Sequence, residues 1–333
     1  MDKIYKVAIV GCGGISHMHA GWYVNEPRTE IFAISDIDEG RLNAYGEKYE
    51  VEKQYTDYIE MLKIEEIDLV SVCTRPKHHA PIVVEAAKHG VKGILSEKPM
   101  AENLGQGKAM LESCAQNGVK LAIDHQVRFS TPYQHARQMI IDGAIGDIFR
   151  IHGICGGGDL KDNATHTVDL MLYLHDDRSV SWVIGQIERI GTPTKYDLHS
   201  EDFAVGYFKF EDNVRGIIES GNDTAPGYHH IYCYGTEGEI ELAAPGGPGI
   251  RYRNQETGGA WETPELPPGI TPVRDLINAI EEDREHRSSG HCGYATLELL
   301  MAIYESSRKR QRVQLPMEEM ESPLTLMIED GWV

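Results

Sequence analysis

Three groups of residues in this sequence have the types and spacing to do chemistry. The first is Gly11-Cys12-Gly13-Gly14-Ile15-Ser16. In this G-x-G-x-x-small spacing the first glycine permits a tight turn and the second lets backbone approach a pyrophosphate. The small third residue keeps helix and strand close, with the helix N-terminus facing the phosphates. Asp36 ends the next apolar run, at the interval of an acid that holds ribose hydroxyls. A carboxylate there repels a 2′-phosphate, so the spacing predicts NAD, with NADP disfavoured. Without a ligand, the same residues would be a glycine turn and a strand-end acid.

The second group is Glu97-Lys98-Pro99, just past the fifth apolar run. Ligands of open α/β sheets bind at such strand ends, where a lysine can hydrogen-bond a substrate hydroxyl and lower its pKa. The alternative is a solvated surface lysine. The third group runs from Gly156 to Asp169 and contains Asp162 and His166. If a helix begins near Asp162, rotation of about 100° per residue puts Asp162, His166, Asp169 and Tyr173 on one face, leaving Val168, Met171 and Leu172 as an apolar stripe. An Asp one turn before a His can orient the imidazole as a base. The competing reading is a solvated helix face. Asp162, His166 and Asp169 could also ligate a divalent ion, but no further ligand stands near and a lysine at the same site would repel it. Acid–base work is therefore preferred, with no metal expected.

These residues need elements to hold them. Short apolar runs at Ile4–Val10, Ile31–Ser35, Asp68–Cys73, Gly93–Ser96 and Val119–Ile123 alternate with helical stretches such as Pro81–His89 and Leu104–Gln116. Such alternation predicts a parallel, doubly wound α/β sheet, with His89-Gly90 and Asn117-Gly118 as helix stops. From about Ile148 the pattern changes. Phe203–Phe210, Val214–Ser220 and Tyr228–Tyr234 read as closely spaced strands of a mainly antiparallel open sheet. The Pro- and Gly-rich stretch 244–269 reads as loop or weak hairpin, and helices follow at Val273–Arg287 and Ala295–Arg310. The change of element type puts the division at residue 124, with a doubly wound dinucleotide-binding pattern over residues 1–124 and a mainly antiparallel α/β pattern over residues 125–333.

The chain has 333 residues, enough for two cores, and carries 32 Lys+Arg against 52 Asp+Glu, a net charge of −20. That balance disfavours nucleic acid and anionic membrane surfaces. The excess is uneven: residues 1–124 hold 14 basic and 19 acidic residues, the remainder 18 and 33. An anionic ligand therefore suits the first half better than the second. The six cysteines are scattered without finger or C-x-x-C spacing, and no apolar run is long enough to span a membrane. The N-terminus enters a strand pattern directly. The expected location is the cytoplasm.

Taken together, Gly11-Cys12-Gly13-Gly14-Ile15 with His19-Ala20, Thr74-Arg75-Pro76-Lys77-His78-His79, Glu97-Lys98-Pro99, Asp162 four before His166, and Gly235-Thr236-Glu237-Gly238 resemble the Gfo/Idh/MocA oxidoreductases, a family that includes inositol dehydrogenase and glucose–fructose oxidoreductase. The resemblance implies a Rossmann domain, a second α/β domain whose open sheet makes homodimer or homotetramer contacts, and a sugar or cyclic polyol meeting the cofactor between the two. It makes Lys98, Asp162 and His166 the catalytic group: His166 takes the hydroxyl proton, Asp162 positions hydroxyl and imidazole, and Lys98 stabilises the alkoxide. Cofactor contacts are expected from Gly11, Gly13, Gly14, Ile15, Asp36, Thr74, His79, Glu97 and Lys98. The family commonly has T-P-N where this chain has Thr74-Arg75-Pro76, and often Gly where this chain has Ala164; Asp169 is expected to be structural. Candidates for substrate contact are Gln126, Arg128 and His229, beside Asp162 and His166; His125, Tyr228 and His230 stand nearby in sequence.

The expected activity is NAD-dependent oxidation of a secondary hydroxyl. Two alternatives remain at this point. One is transient oxidation by held NAD followed by elimination or glycoside hydrolysis; the other is a non-catalytic, dinucleotide-dependent sugar sensor, which would not need Lys98, Asp162 and His166 together.

Overall fold

A computed structural model describes residues 3–191, 193–221, 229–242 and 249–333. The chain forms two compact units. The first comprises residues 1–102, 106–124 and 271–293; the second comprises residues 103–105, 125–270 and 294–333.

The first unit alternates strand and helix. Its elements are β1 (Tyr5–Val10), α1 (Ser16–Val24), β2 (Thr29–Ser35), α2 (Glu39–Tyr49), β3 (Lys53–Tyr55), α3 (Tyr58–Ile64), β4 (Leu69–Val72), α4 (His79–Ala87), β5 (Gly93–Ser96), α5 (Leu104–Asn117) and β6 (Lys120–Ile123). The six strands are parallel, in the order β3-β2-β1-β4-β5-β6. All four residues of β4 and of β5 are buried, as expected of strands covered on both faces. Strand order reverses where β1 pairs with both β2 and β4, and ligands of such sheets bind outside the strand ends at that point. Asp38 and Asp57 cap α2 and α3 by accepting from Arg41 N and Ile59 N. Gly118 takes φ +67° beyond α5, where Val119 N donates to Cys114 O.

In the second unit, α6 (Thr131–Ile141), β7 (Ile148–Gly156), α7 (Ala164–Leu174) and β8 (Val180–Glu188) precede a small hairpin of β9 (Thr194–Lys195) and β10 (Leu198–His199). Strands β11 (Phe203–Phe210), β12 (Arg215–Gly221), β13 (His230–Gly235), β14 (Gly238–Leu242) and β15 (Ile250–Asn254) follow. After them come α8 (Pro272–Glu281), α9 (Gly290–Lys309), β16 (Val313–Gln314) and α10 (Pro323–Glu329). The large sheet has the order β15-β14-β13-β7-β12-β11-β8-β16. It is antiparallel throughout except for the parallel β7–β12 pair.

Several boundaries differ from the sequence reading. The linear division at residue 124 does not anticipate that residues 271–293 join the first unit. Val273, Leu276 and Ile277 of α8 pack into its core with Val7, Leu69 and Leu95. The expected helix to Arg287 stops at Glu281, and the next begins at Gly290 rather than Ala295. The stretch read as loop or weak hairpin carries β15, with an antiparallel bridge from Tyr252 to Glu262; residues 244–248 of it lie outside the described residues.

Helix α7 packs directly on β7. A Cβ at Gly153 would stand 2.5 Å from Met171 Sδ and 2.9 Å from Thr167 Cγ2, so only glycine admits the helix at this distance. All eleven residues of α7 are buried, which overturns the amphipathic picture of a polar face and an apolar stripe. The helix starts at Ala164 rather than Asp162, and Asp169 turns inward. Its Oδ2 accepts from Arg128 Nε at 2.5 Å, its Oδ1 accepts from Thr296 Oγ1 at 3.2 Å, and His125 Nδ1 lies 3.1 Å from Oδ1. Burial works against the charge of Asp169, but the Arg128 guanidinium and His125 outweigh it and hold the carboxyl down at about 2.

This brace makes a stability prediction. A carboxyl depressed by folding contributes stability above its ordinary pKa, and that contribution is lost as pH falls through the folded value. Arg128→Met removes the guanidinium that pairs with buried Asp169, leaving only His125 and Thr296 beside it, and is expected to cost about 3–5 kcal/mol at neutral pH. The gap from wild type should narrow towards about pH 3 as the orphaned carboxyl takes a proton. Urea unfolding at the two pH values checks this; a gap that is constant or widens on acidification would show that Asp169 is not the group concerned.

Candidate active site

The first unit presents a glycine turn at its switch point. Gly11 leaves β1 with φ +94°, and a Cβ there would lie 2.9 Å from the Cys73 carbonyl, which bars any other residue. A Cβ built at Gly13 or Gly14 would meet no atom within 4 Å, so this side of the turn faces open space. Ser16 fixes the turn, its amide and hydroxyl both donating to Gly13 O at 3.2 and 2.6 Å. Ile15 is the N-cap of α1. Thr74, whose Cγ2 lies 3.0 Å from a Cβ built at Gly11, keeps a buried Oγ1 without a hydrogen-bond partner. An open glycine cradle at a helix start beside an unsatisfied hydroxyl fits a dinucleotide pyrophosphate.

Asp36 stands at the edge of that cradle. Its Oδ2 accepts from Cys12 N at 2.8 Å, and its Oδ1 accepts from Asp38 N at 2.8 Å and Arg41 Nη2 at 3.0 Å. Burial opposes its charge, but Arg41 and the two amides hold its pKa below the ordinary carboxylate range. An ionised carboxylate has about four lone-pair sites, so these donors leave room for a ribose hydroxyl.

Beyond β5 the peptide Lys98–Pro99 is cis. Beside it, charged groups form a floor. His19 is fully buried, its Nδ1 2.7 Å from Ser71 Oγ and its Nε2 3.0 Å from both Glu97 Oε1 and Asp124 Oδ2. Burial works against charge on His19, but Cys73 and Asp124 outweigh it and raise its pKa well above the ordinary value. Burial pushes Asp124 up to about 6, whereas the His19 hydrogen bond overcomes burial and lowers Glu97. The other Glu97 oxygen accepts from Lys98 N at 3.1 Å.

This corrects two of the expected cofactor contacts. Glu97 is a buried brace that orients the Lys98 backbone. His79 is likewise fully buried, its Nδ1 2.9 Å from Pro99 O and its Nε2 3.1 Å from Thr74 O. It ties the Thr74 loop to the Lys98 loop from inside. Among the described residues, His19, Glu97 and Asp124 bring potential metal-ligand atoms within 4.8 Å of one another. Their 3.0 Å contacts are those of a hydrogen-bonded ion-pair cluster.

In the second unit the turn Asp159–Asn163 carries Asp162 to the start of α7. Asp159 Oδ1 accepts from the amides of Lys161 and Asp162 at 2.9 and 2.8 Å, while its Oδ2 accepts from Ser200 Oγ at 2.5 Å. Glu201 accepts from Leu160 N at 2.6 Å and from Tyr304 OH at 2.6 Å, and burial pushes its carboxyl up to about 7. Asp162 and His166 are themselves 5% and 4% exposed, which removes the solvated-face reading.

The His166 ring stands between two others: His125 lies edge-on at 5.5 Å and His229 at 5.4 Å between centroids. His125 Nε2 is 3.0 Å from Thr165 Oγ1. His229 has φ +60°, its Nδ1 is 2.9 Å from Thr167 Oγ1, and its carbonyl accepts from Tyr133 OH at 3.0 Å. The structure thus brings His229 to His166. Gln126, in the turn before α6, has a buried Oε1 without a hydrogen-bond partner, an acceptor of the kind a substrate hydroxyl would satisfy.

Arg128 is not available for that purpose. Its guanidinium donates to Asp169 and, through Nη1 and Nη2 at 3.0 and 2.7 Å, to Asp177. The possible metal set of Asp162, His166 and Asp169 is likewise broken, because Asp169 is spent on Arg128. Tyr228 lies outside the described residues, and His230 opens β13. Spacing alone did not single out Asp159, Glu201, Tyr304 or Lys195, whose Nζ lies 3.2 Å from Asp162 Oδ2. Only tertiary contact brings them to the turn.

Comparison with known proteins agrees with this geometry. Residues 5–125 match the family model described as oxidoreductase family, NAD-binding Rossmann fold, and residues 150–315 match that family's C-terminal alpha/beta domain. The D-apiose dehydrogenase of Paraburkholderia graminis is 26% identical, the match covering 99% of this chain and 95% of that protein. The myo-inositol 2-dehydrogenase of Thermotoga maritima is also 26% identical, over 71% of this chain and 74% of that one. The WlbA dehydrogenase from Bordetella pertussis, crystallised with NADH and UDP-GlcNAcA, superimposes with a TM-score of 0.80 at 25% identity, covering 95% of this chain and 100% of that one. With both domain models matched over most of its length, the chain is an oxidoreductase of the Gfo/Idh/MocA family, built on an NAD-binding Rossmann fold.

Proposed function

We infer that the protein is an NAD-dependent dehydrogenase that oxidises a secondary hydroxyl of a sugar, sugar derivative or cyclic polyol. The observation that carries the reading is the pair Asp162 and His166, buried at the start of α7 on a turn fixed from beneath by Asp159 and Glu201. It stands in a chain whose first unit has an open glycine cradle and an unsatisfied Thr74 hydroxyl. The relatives named as D-apiose and myo-inositol dehydrogenases support the substrate class.

In this reading Gly11, Gly13, Gly14 and Ile15 present backbone to the pyrophosphate, Thr74 donates to the cofactor, and Asp36 accepts from a ribose hydroxyl. NAD, when bound, supplies the hydride acceptor. His166 takes the proton of the reacting hydroxyl, Asp162 positions that hydroxyl and the imidazole, and Lys98 stabilises the alkoxide by charge. Gln126 and His229 contact the remaining hydroxyls.

Net NADH formation from a panel of sugars and inositols tests the activity; product without NADH accumulation would instead indicate transient oxidation. Lys98→Ala and His166→Asn should each lower kcat by about 100-fold or more, with NADH still binding. Retention of most of the activity by either variant would remove that residue from the chemistry.

The cofactor preference rests on Asp36. Arg41 stands against it with its side chain 52% exposed. Asp36→Ser would remove the repulsion of a 2′-phosphate and release this guanidinium to meet one. The ratio of kcat/KM with NADP to that with NAD should therefore rise in the variant, and an unmoved ratio would place the discrimination elsewhere.

Self-association belongs to the same reading. A register row of Ile184, Tyr207, Ile217, His152 and Tyr232 crosses five strands of the large sheet. Ile184 is 50% exposed. The neighbouring row lies on the opposite face, where Gly185 and Gly206 pack against Ile303 of α9. A homodimer or homotetramer formed through the first face would cover this apolar row. Light scattering should show such an oligomer, and a double Ile184→Glu, Tyr207→Glu variant should be monomeric. An oligomer untouched by these charges would exclude this face. A cytoplasmic location accords with six cysteines that are all free, and no described helix is long and apolar enough to cross a membrane.

A further inference from the structure

Among the described residues, the segment between β8 and β11 meets the Asp162 turn through Ser200, Glu201 and Lys195. Two are buried fixings already described: Ser200 on Asp159 and Glu201 on the Leu160 amide. The third is different. Lys195, on β9, places Nζ 3.2 Å from Asp162 Oδ2, yet its side chain is 50% exposed where that of Asp162 is 6% exposed.

An ion pair with one half in solvent adds little stability, and Asp159, Ser200, Glu201 and Tyr304 already hold the turn. The position of Lys195 therefore needs another reason. An ammonium offers three donors and no acceptor, and a carboxylate offers only acceptors. The pair with Asp162 occupies one ammonium donor.

Side by side, Asp162 and Lys195 form a recognition element of opposite hydrogen-bond sense. Their 3.2 Å separation is comparable with the spacing of the two oxygens of a gauche vicinal diol. A reacting hydroxyl positioned beside Asp162 brings the oxygen of the adjacent carbon to the ammonium.

We propose that Lys195 is a specificity-determining residue that donates to the oxygen next to the hydroxyl being oxidised, so that the enzyme selects vicinal diols. The proposal rests on the reading that Asp162 aims the reacting hydroxyl. The carboxylate is fixed by its buried turn, while the lysine stem is free to adjust. The ammonium therefore adapts to the neighbouring oxygen while the reacting one stays in place. A substrate without that oxygen forfeits a charge-assisted hydrogen bond, an effect of about tenfold in kcat/KM.

The test uses full-length enzyme with saturating NAD. The probes are myo-inositol, D-apiose and methyl α-D-glucopyranoside, each with mono-deoxy analogues lacking one hydroxyl. Wild type should prefer its best diol over the analogue that lacks the neighbouring oxygen by about tenfold. In Lys195→Met this preference should collapse towards unity, through a raised KM for the diol. Lys195→Arg, which keeps a charged donor, should retain part of it. NADH affinity and the thermal midpoint, measured alongside, report whether the variant is folded.

Equal losses on diol and deoxy analogue, or a loss confined to kcat, would overturn the proposal and leave Lys195 as a support for Asp162 alone. Failure of wild type to form NADH from any probe would overturn the hydroxyl-oxidation reading itself, and this inference with it.

Discussion

Every side chain of α7 is buried, so each polar group the helix carries must find its partner inside the second unit. Leaving a buried charge unpaired costs several kcal/mol, and an unmade hydrogen bond about 1–3 kcal/mol. The arrangement around the helix follows from this requirement. Asp169 is answered by Arg128, His125 and Thr296. His125, held at Nδ1 by that carboxylate, gives Nε2 to Thr165, and Thr167 reaches His229. His166 therefore stands among rings whose orientations are set by other bonds. The proposed role of His166 as base requires a fixed direction, and its neighbours are fixed from outside it.

The first unit solves a related problem at its strand ends. A dinucleotide site must be open on one side and stiff beneath. Gly13 and Gly14 provide the opening. Stiffness comes from charged groups turned away from it: His19 joins α1 to Ser71 on β4, Glu97 beyond β5 and Asp124 beyond β6, and His79 joins the loops that carry Thr74 and Lys98. Clusters of this kind add little net stability compared with apolar packing, but removing one member is costly. Their worth here is positional. Glu97 orders the Lys98 amide.

Much of this was legible in the sequence, for physical reasons. Parallel strands buried on both faces read as apolar runs, as at Gly93–Ser96, and the alternating, antiparallel Phe203–Phe210 also has the expected bounds. Edge strand β3, Lys53-Gln54-Tyr55, is short and only half-buried, so it leaves no such run. Periodicity placed Asp162, Asp169 and Tyr173 with His166, but it could not show that a cation 41 positions away would enter the core to meet Asp169. The family resemblance marked Glu97 and His79 as site residues through the motifs that also hold Lys98 and Thr74. Only the fold shows that both turn inward. Lys195 belongs to no spacing at all; its nearness to Asp162 is made by the hairpin alone.

The uneven charge of the chain takes on a different meaning once these contacts are known. The second half carries 33 acidic against 18 basic residues, which by itself would suggest an anionic surround for the substrate. Yet Asp159, Asp162, Asp169 and Glu201 are all buried, and each is met by an amide, a hydroxyl or a cation. Their charge is spent on building the turn and the helix. At Asp162 a buried carboxylate stands beside a half-exposed ammonium, a neutral pair of donor and acceptor. A polyol satisfies both members at once and leaves the pair intact. A phosphate dianion would instead draw Lys195 away and set its own charge against Asp162. Local pairing, more than net charge, is thus the physical basis for a neutral, hydroxyl-rich ligand.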